Sequence, residues 1–74
     1  MPKLPVISGK AAVKKFLKIG YVVTRQKGSH VRLTNDNDIL RKPFTIPLHK
    51  MLKPGLTHQL IKDAGLTIEE FLDL

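Results

Sequence analysis

"YVVTRQKGSHVRLT", residues 21–34, reads as two short strands joined by a tight turn. Tyr21 to Gln26 is rich in β-branched and aromatic residues, which suit a pleated surface. His30 to Thr34 alternates: Val31 and Leu33 on one face, His30, Arg32 and Thr34 on the other. Between them, Lys27-Gly28-Ser29 holds a glycine that can adopt positive φ. Such a turn places Gln26 opposite His30 and Thr24 opposite Arg32. Tyr21 and Val23 then share a core face with Val31 and Leu33. A slip of one residue would break that agreement, and one bulge would change the parity.

Working outward, "NDND" (35–38) is turn chemistry, and "FTIPLH" (44–49) alternates again. Phe44, Ile46 and Leu48 point one way; Thr45, Pro47 and His49 point the other. Pro47 cannot donate to a ladder, so this strand belongs at an edge or ends there. Residues 39–43 are a loop or an early part of the strand. A hairpin closed near residues 35–43 pairs Thr34 with Phe44 or Thr45 and sets His30 opposite Leu48 or His49. On that register His30, Arg32, Thr45 and His49 share an open face, with the two histidines as neighbours.

Helices flank the strands. Ser8 is an N-cap for a helix through Ile19, with Ala12, Val13, Phe16 and Leu17 as its inner stripe. Lys10, Lys14, Lys15 and Lys18 fall largely on its other side. Gly20 is the expected stop. A second helix starts near Pro54 to Thr57, buries Leu60, Ile61 and Ala64, and ends at Gly65. Thr67 and Glu70 form a capping box for a last helix, Ile68 to Leu74. Met1 to Ile7 is an extended lead-in. The order α-β-β-β-α-α predicts an α+β fold: one domain, 1–74, with a three-stranded antiparallel sheet and helices on one face.

Composition narrows the chemistry. There is no cysteine, which excludes disulfides, thiolate metal sites and a thiol nucleophile. No apolar run is long enough to span a membrane, and the N-terminus lacks a secretion signal, so a cytoplasmic setting is expected. All thirteen Lys and Arg lie within residues 1–62, against Asp36 and Asp38 only. Residues 63–74 hold Asp63, Glu69, Glu70 and Asp73 and no cation. A basic body, thirteen cations against two acids, in a chain of net charge +7 fits a polyanionic partner, or simply a solvated basic face.

The turn is where chemistry concentrates. Arg25, Lys27 and Arg32 supply positive charge beside His30, and Ser29 and Gly28 shape the turn. Cations grip phosphate and stabilise charge on its oxygens. An imidazole can take the proton of a ribose 2′-OH or protonate a departing 5′ oxygen. The nucleophile then comes from the substrate, so no metal or cofactor is required. His49 is the candidate for a second acid or base; the plain alternative is a strand terminator. His58, early in a helix, reads as a surface residue. The spacing of the three histidines does not match a zinc site, and the aromatic residues read as core rather than a base-stacking platform.

"SGK" opening the first helix, "LKIGYVVTRQKGSHVRL", "FTIPLHK" and "LKPGLTHQLIKDAGLTIEEFL", in that order, resemble the HicA toxin family over about residues 7–73. The resemblance implies a fold like the double-stranded-RNA-binding domain. It also implies an endoribonuclease that cleaves mRNA in the bacterial or archaeal cytoplasm, and a HicB-like antitoxin that covers the His30 face. The family's catalytic histidine maps onto His30, within Gly28-Ser29-His30, and its Pro-x-His onto Pro47 and His49. The family fold also implies that the lysine-rich face of the first helix, carrying Lys10, Lys14 and Lys18, lies on RNA, in addition to the cations Arg25, Lys27 and Arg32 read from the turn. The connection at residues 35–42 is longer than the family's usual hairpin. A non-catalytic RNA-binding module of the same fold, or an adaptor for an acidic protein, shares the basic charge and stays open at this point.

Overall fold

A computed structural model describes residues 4–74. The elements run α1 (Gly9–Leu17), β1 (Val22–Lys27), β2 (His30–Thr34), β3 (Phe44–Pro47), α2 (Pro54–Asp63) and α3 (Ile68–Leu72). The three strands form one antiparallel sheet in the order β1-β2-β3, so both outer strands are edges. The expected α+β architecture is the one observed. Of the expected lead-in, Met1 to Lys3 lie outside the described residues, and Leu4 to Ser8 have no regular secondary structure.

The helices form where the capping chemistry lies. The Ser8 hydroxyl accepts from the Ala11 N–H at 3.1 Å, satisfying one of the free donors of the α1 N-terminus. Pro54 opens α2. Thr67 and Glu70 make both halves of the capping box of α3, and those bonds hold the Glu70 carboxyl below its ordinary range.

The core lies between the helices and one face of the sheet. Val31, Leu33, Phe44 and Ile46 are buried there; Arg32 and Thr45, which alternate with them, are exposed. Phe16 is fully buried and touches three rings: Phe44 at 4.8 Å between centroids, Phe71 at 5.4 Å and Tyr21 at 5.7 Å. Lys15 secures α3 to α1, donating to the carbonyls of Leu74 (3.0 Å) and Phe71 (3.4 Å).

Three expected core residues are exposed: Val23, because β1 is an edge strand, and Leu17 and Leu48. Leu17 ends α1 and is 44% exposed, because the buried stripe runs through Ala12 and Phe16, and Leu17 falls at its margin. Leu48 is 37% exposed, because β3 ends at Pro47. The long connection after β2 is a loop. Asn35, buried, donates to the Ile19 carbonyl at 3.0 Å and accepts from the Asn37 N–H at 3.1 Å. Further along, Lys42 N–H donates to the Asp63 carbonyl at 2.8 Å, and Arg41 donates to that of Ala64.

Tyr21 ties the same loop to the core: its buried hydroxyl donates to the Lys42 carbonyl at 2.8 Å. Burial pushes the phenol up to about 12, an effect partly offset by the nearby Arg41 and reinforced by Asp63 and Asp38. The unfolded chain loses this proton near 10, so the favoured neutral phenol supports the fold fully below pH 10. That support, roughly 2–3 kcal/mol, should disappear as the pH rises through 12. Urea titrations from pH 9 to 12 should show a steeper loss of stability in the wild type than in Tyr21→Phe. At neutral pH the substitution should cost about 1 kcal/mol for the abandoned hydrogen bond. Parallel pH profiles would count against this account.

Candidate active site

The register of β1 against β2 decides what surrounds His30. The turn has two residues, Gly28 and Ser29, and Lys27 pairs with His30. Gly28 has φ +59°, whereas Ser29 is not in the positive-φ region, the signature of a type II′ hairpin turn. Arg25 then pairs with Arg32 and Gln26 with Val31. Beyond them the register shifts by one residue, with Thr24 as the extra residue, so that Val23 meets Leu33 and Val22 meets Thr34. The expected pairing of Gln26 with His30 and Thr24 with Arg32 is therefore incorrect. The placement of Val23 on the face of Leu33 holds, because the bulge restores it.

The bulge has an electrostatic consequence. Directly paired residues share a face. Arg25, Lys27, His30 and Arg32 thus form a two-by-two array on the exposed side of the sheet. Two arginines directly opposite each other are a destabilising pair. Among the described residues the one ion pair is Arg41–Asp38 (3.4 Å), and Arg25, Lys27 and Arg32 have no carboxylate partner. Repulsion left uncompensated in this way marks a surface shaped for an anion.

The array lines a cleft of about 320 Å³ together with Thr45. Thr45 pairs with Arg32 and so enters from β3, and Pro47 pairs with His30 on the side away from Lys27. His30 is exposed, and its ring nitrogens have no hydrogen-bond partner among the described residues. Thr45 was legible from the alternation of β3, but no motif distinguished it.

The second hairpin also departs from expectation. His30 meets Pro47, not Leu48 or His49, and Leu33 rather than Thr34 meets Phe44. His49 lies two residues past the end of β3, is exposed, and is not among the residues lining the cleft. Its backbone has a clear contact: its carbonyl accepts from the Gly9 N–H at 2.9 Å. One residue earlier, Leu48 N–H donates to the Ser29 carbonyl at 2.6 Å. These bonds join the end of β3 to the Gly28-Ser29 turn on one side and to the start of α1 on the other.

Lys10 and Lys14 line a separate groove on the helix-covered side of the hairpin. His58 is exposed on α2, away from the cleft. Among the described residues no three His, Asp or Glu side chains gather at one point. No helix there is long and apolar enough to cross a membrane.

A family model for the HicA toxin of bacterial toxin–antitoxin systems matches residues 9–66 of the 74. No curated protein matches the chain. The matched segment contains the whole sheet, α1 and α2, and so every residue of the cleft.

Proposed function

Because the chain belongs to the HicA toxin family, and so is the toxin of a toxin–antitoxin pair, we propose that it is a metal-independent endoribonuclease that cleaves mRNA in the cytoplasm through His30. The observation that supports this most is the exposed imidazole in a cleft with three cations that have no carboxylate partner among the described residues.

In this reading the RNA backbone lies along the cleft. Arg25, Arg32 and Lys27 hold the non-bridging oxygens of the scissile phosphate, and the Thr45 hydroxyl adds a hydrogen bond. His30 accepts the proton of the ribose 2′-OH as that oxygen attacks phosphorus in line. The bond from phosphorus to the 5′ oxygen breaks, and that oxygen takes up a proton. The products are a 2′,3′-cyclic phosphate and a free 5′-OH. His49, just past the end of β3, is the second histidine near this end of the sheet and the candidate to protonate the leaving oxygen. Lys10 and Lys14 contact RNA outside the cleft. A HicB-like antitoxin neutralises the array by covering the His30 face, and acidic groups suit it to that task.

The nucleophile belongs to the substrate, and that gives a direct test. An RNA oligonucleotide should be cut in the presence of chelator and yield cyclic-phosphate ends. The same oligonucleotide carrying a single 2′-deoxy residue at the cut should resist there and still bind. Cleavage at the deoxy position would refute the mechanism. Salt-sensitive binding with no cleavage of either substrate would leave a non-catalytic RNA-binding module.

A further inference from the structure

Behind the β1–β2 hairpin, on the face opposite the cationic array, a second groove of about 440 Å³ runs between α1 and β1. Its surface is mainly apolar: Val13 of α1, Val23 and Val31 of the sheet, and Leu48. Val23 is 46% exposed, so this floor is open to solvent. Lys10 and Lys14, one turn apart on α1, stand over it, and neither has a carboxylate partner among the described residues. Gln26 borders it from β1. Its amide N–H donates to the Gly28 carbonyl at 3.2 Å, which leaves the amide oxygen free and ties this side chain to the turn that carries His30.

Phosphate alone has no use for an apolar floor, and an apolar peptide alone has no use for the lysines. A nucleotide needs both, since its base seeks an apolar surface and its phosphate a cation. The groove also continues a route that starts at His30. β1 is an edge strand, so its outer side is free, and the cleft and the groove lie on the two faces of that one strand. A strand of RNA with its scissile phosphate in the cleft can cross that edge and enter the groove behind it.

We propose that this groove is a subsite for a base flanking the cut. The base rests on Val13, Val23 and Leu48. The Gln26 amide addresses its edge, and Lys10 and Lys14 hold the phosphate beyond it. The subsite rests on the nuclease reading above and supplies it with a source of sequence preference.

The test compares two substrates: a dinucleoside monophosphate, which spans only the cut, and a longer single-stranded oligonucleotide containing the same step. In the variant carrying both Lys10→Ala and Lys14→Ala, kcat/KM should fall about tenfold more on the oligonucleotide than on the dinucleotide. The salt dependence on the oligonucleotide should become shallower by about 0.7 logarithmic units for each lysine removed. Gln26→Ala should flatten the base preference at one position beside the cut, read by sequencing the cleaved ends of a random pool. Equal losses on both substrates, or none, would overturn the subsite while leaving the nuclease intact. A wild type that cuts neither substrate would remove both readings. Variants that cut the oligonucleotide normally and lose only affinity for the antitoxin would assign the groove to protein instead.

Discussion

Replacing His30 by alanine should lower RNA cleavage by about 10²–10⁴-fold, the usual contribution of a positioned acid or base. The fold should not notice. His30 is exposed at the start of β2 and fills no core space, so stability should stay within about 0.5 kcal/mol of wild type. RNA affinity should also change little, because Arg25, Lys27 and Arg32 remain in the cleft. Single-turnover cleavage, a thermal melt and a binding isotherm on the same preparation separate the three quantities. The variant is also the control for stray ribonuclease. Undiminished cleavage would end the assignment. His49→Ala is the companion measurement. If His49 protonates the leaving oxygen, its loss should lower cleavage by a comparable factor; an unchanged rate would leave it only the carbonyl bond to Gly9, which alanine preserves.

Gly9→Ala should be among the most damaging single-methyl additions the chain can suffer. Gly9 is buried at the first position of α1, where helix and sheet backbones touch. A Cβ there would overlap the Pro47 carbonyl oxygen and come within 2.9 Å of the Leu48 Cα. Both obstacles are backbone, so no side chain can rotate away. Alanine favours a helix by about 1 kcal/mol over glycine, but the seam must open to admit it. The bond from Gly9 N–H to the His49 carbonyl would be lost with it. Overpacking of this kind costs about 1–3 kcal/mol and more where nothing can yield, so a net loss of about 3 kcal/mol is expected. In a domain this small that corresponds to a melting temperature lower by on the order of 10–20 °C. On the proposed mechanism cleavage should also fall, since the same seam holds the end of β3 beside the turn that carries His30. Gly55→Ala is the control: a Cβ on that α2 residue meets nothing within 4 Å, so it should be neutral or slightly stabilising. Equal stability of the two variants would show that the seam is looser than this geometry requires.

Much of the fold was legible because its signals are local. Ser8 and the Thr67–Glu70 box act within one turn of helix, and the observed caps are those. The alternation of Val31 and Leu33 with Arg32 survives because β2 is the central strand, with one face pressed on the core. Leu17 and Leu48 were misplaced for a matching reason. Each sits at the last turn or just past the end of its element, where periodicity stops reporting a face. The end of β3 is set by a tertiary neighbour, the seam with Gly9.

By itself, the sequence determined the order of elements, the core aromatic residues, the excess of positive charge and the singular position of His30 within Gly28-Ser29-His30. Only the tertiary structure decided which residues stand beside that histidine. Alternation counts faces correctly only along an unbroken ladder, and the extra residue at Thr24 resets the count. The two-residue turn sets Lys27 and Arg25 opposite His30 and Arg32 and sends Gln26 to the opposite groove, while the bulge returns Val23 to the face of Leu33; both are choices of strand pairing across the sheet, invisible in the order of residues along one strand.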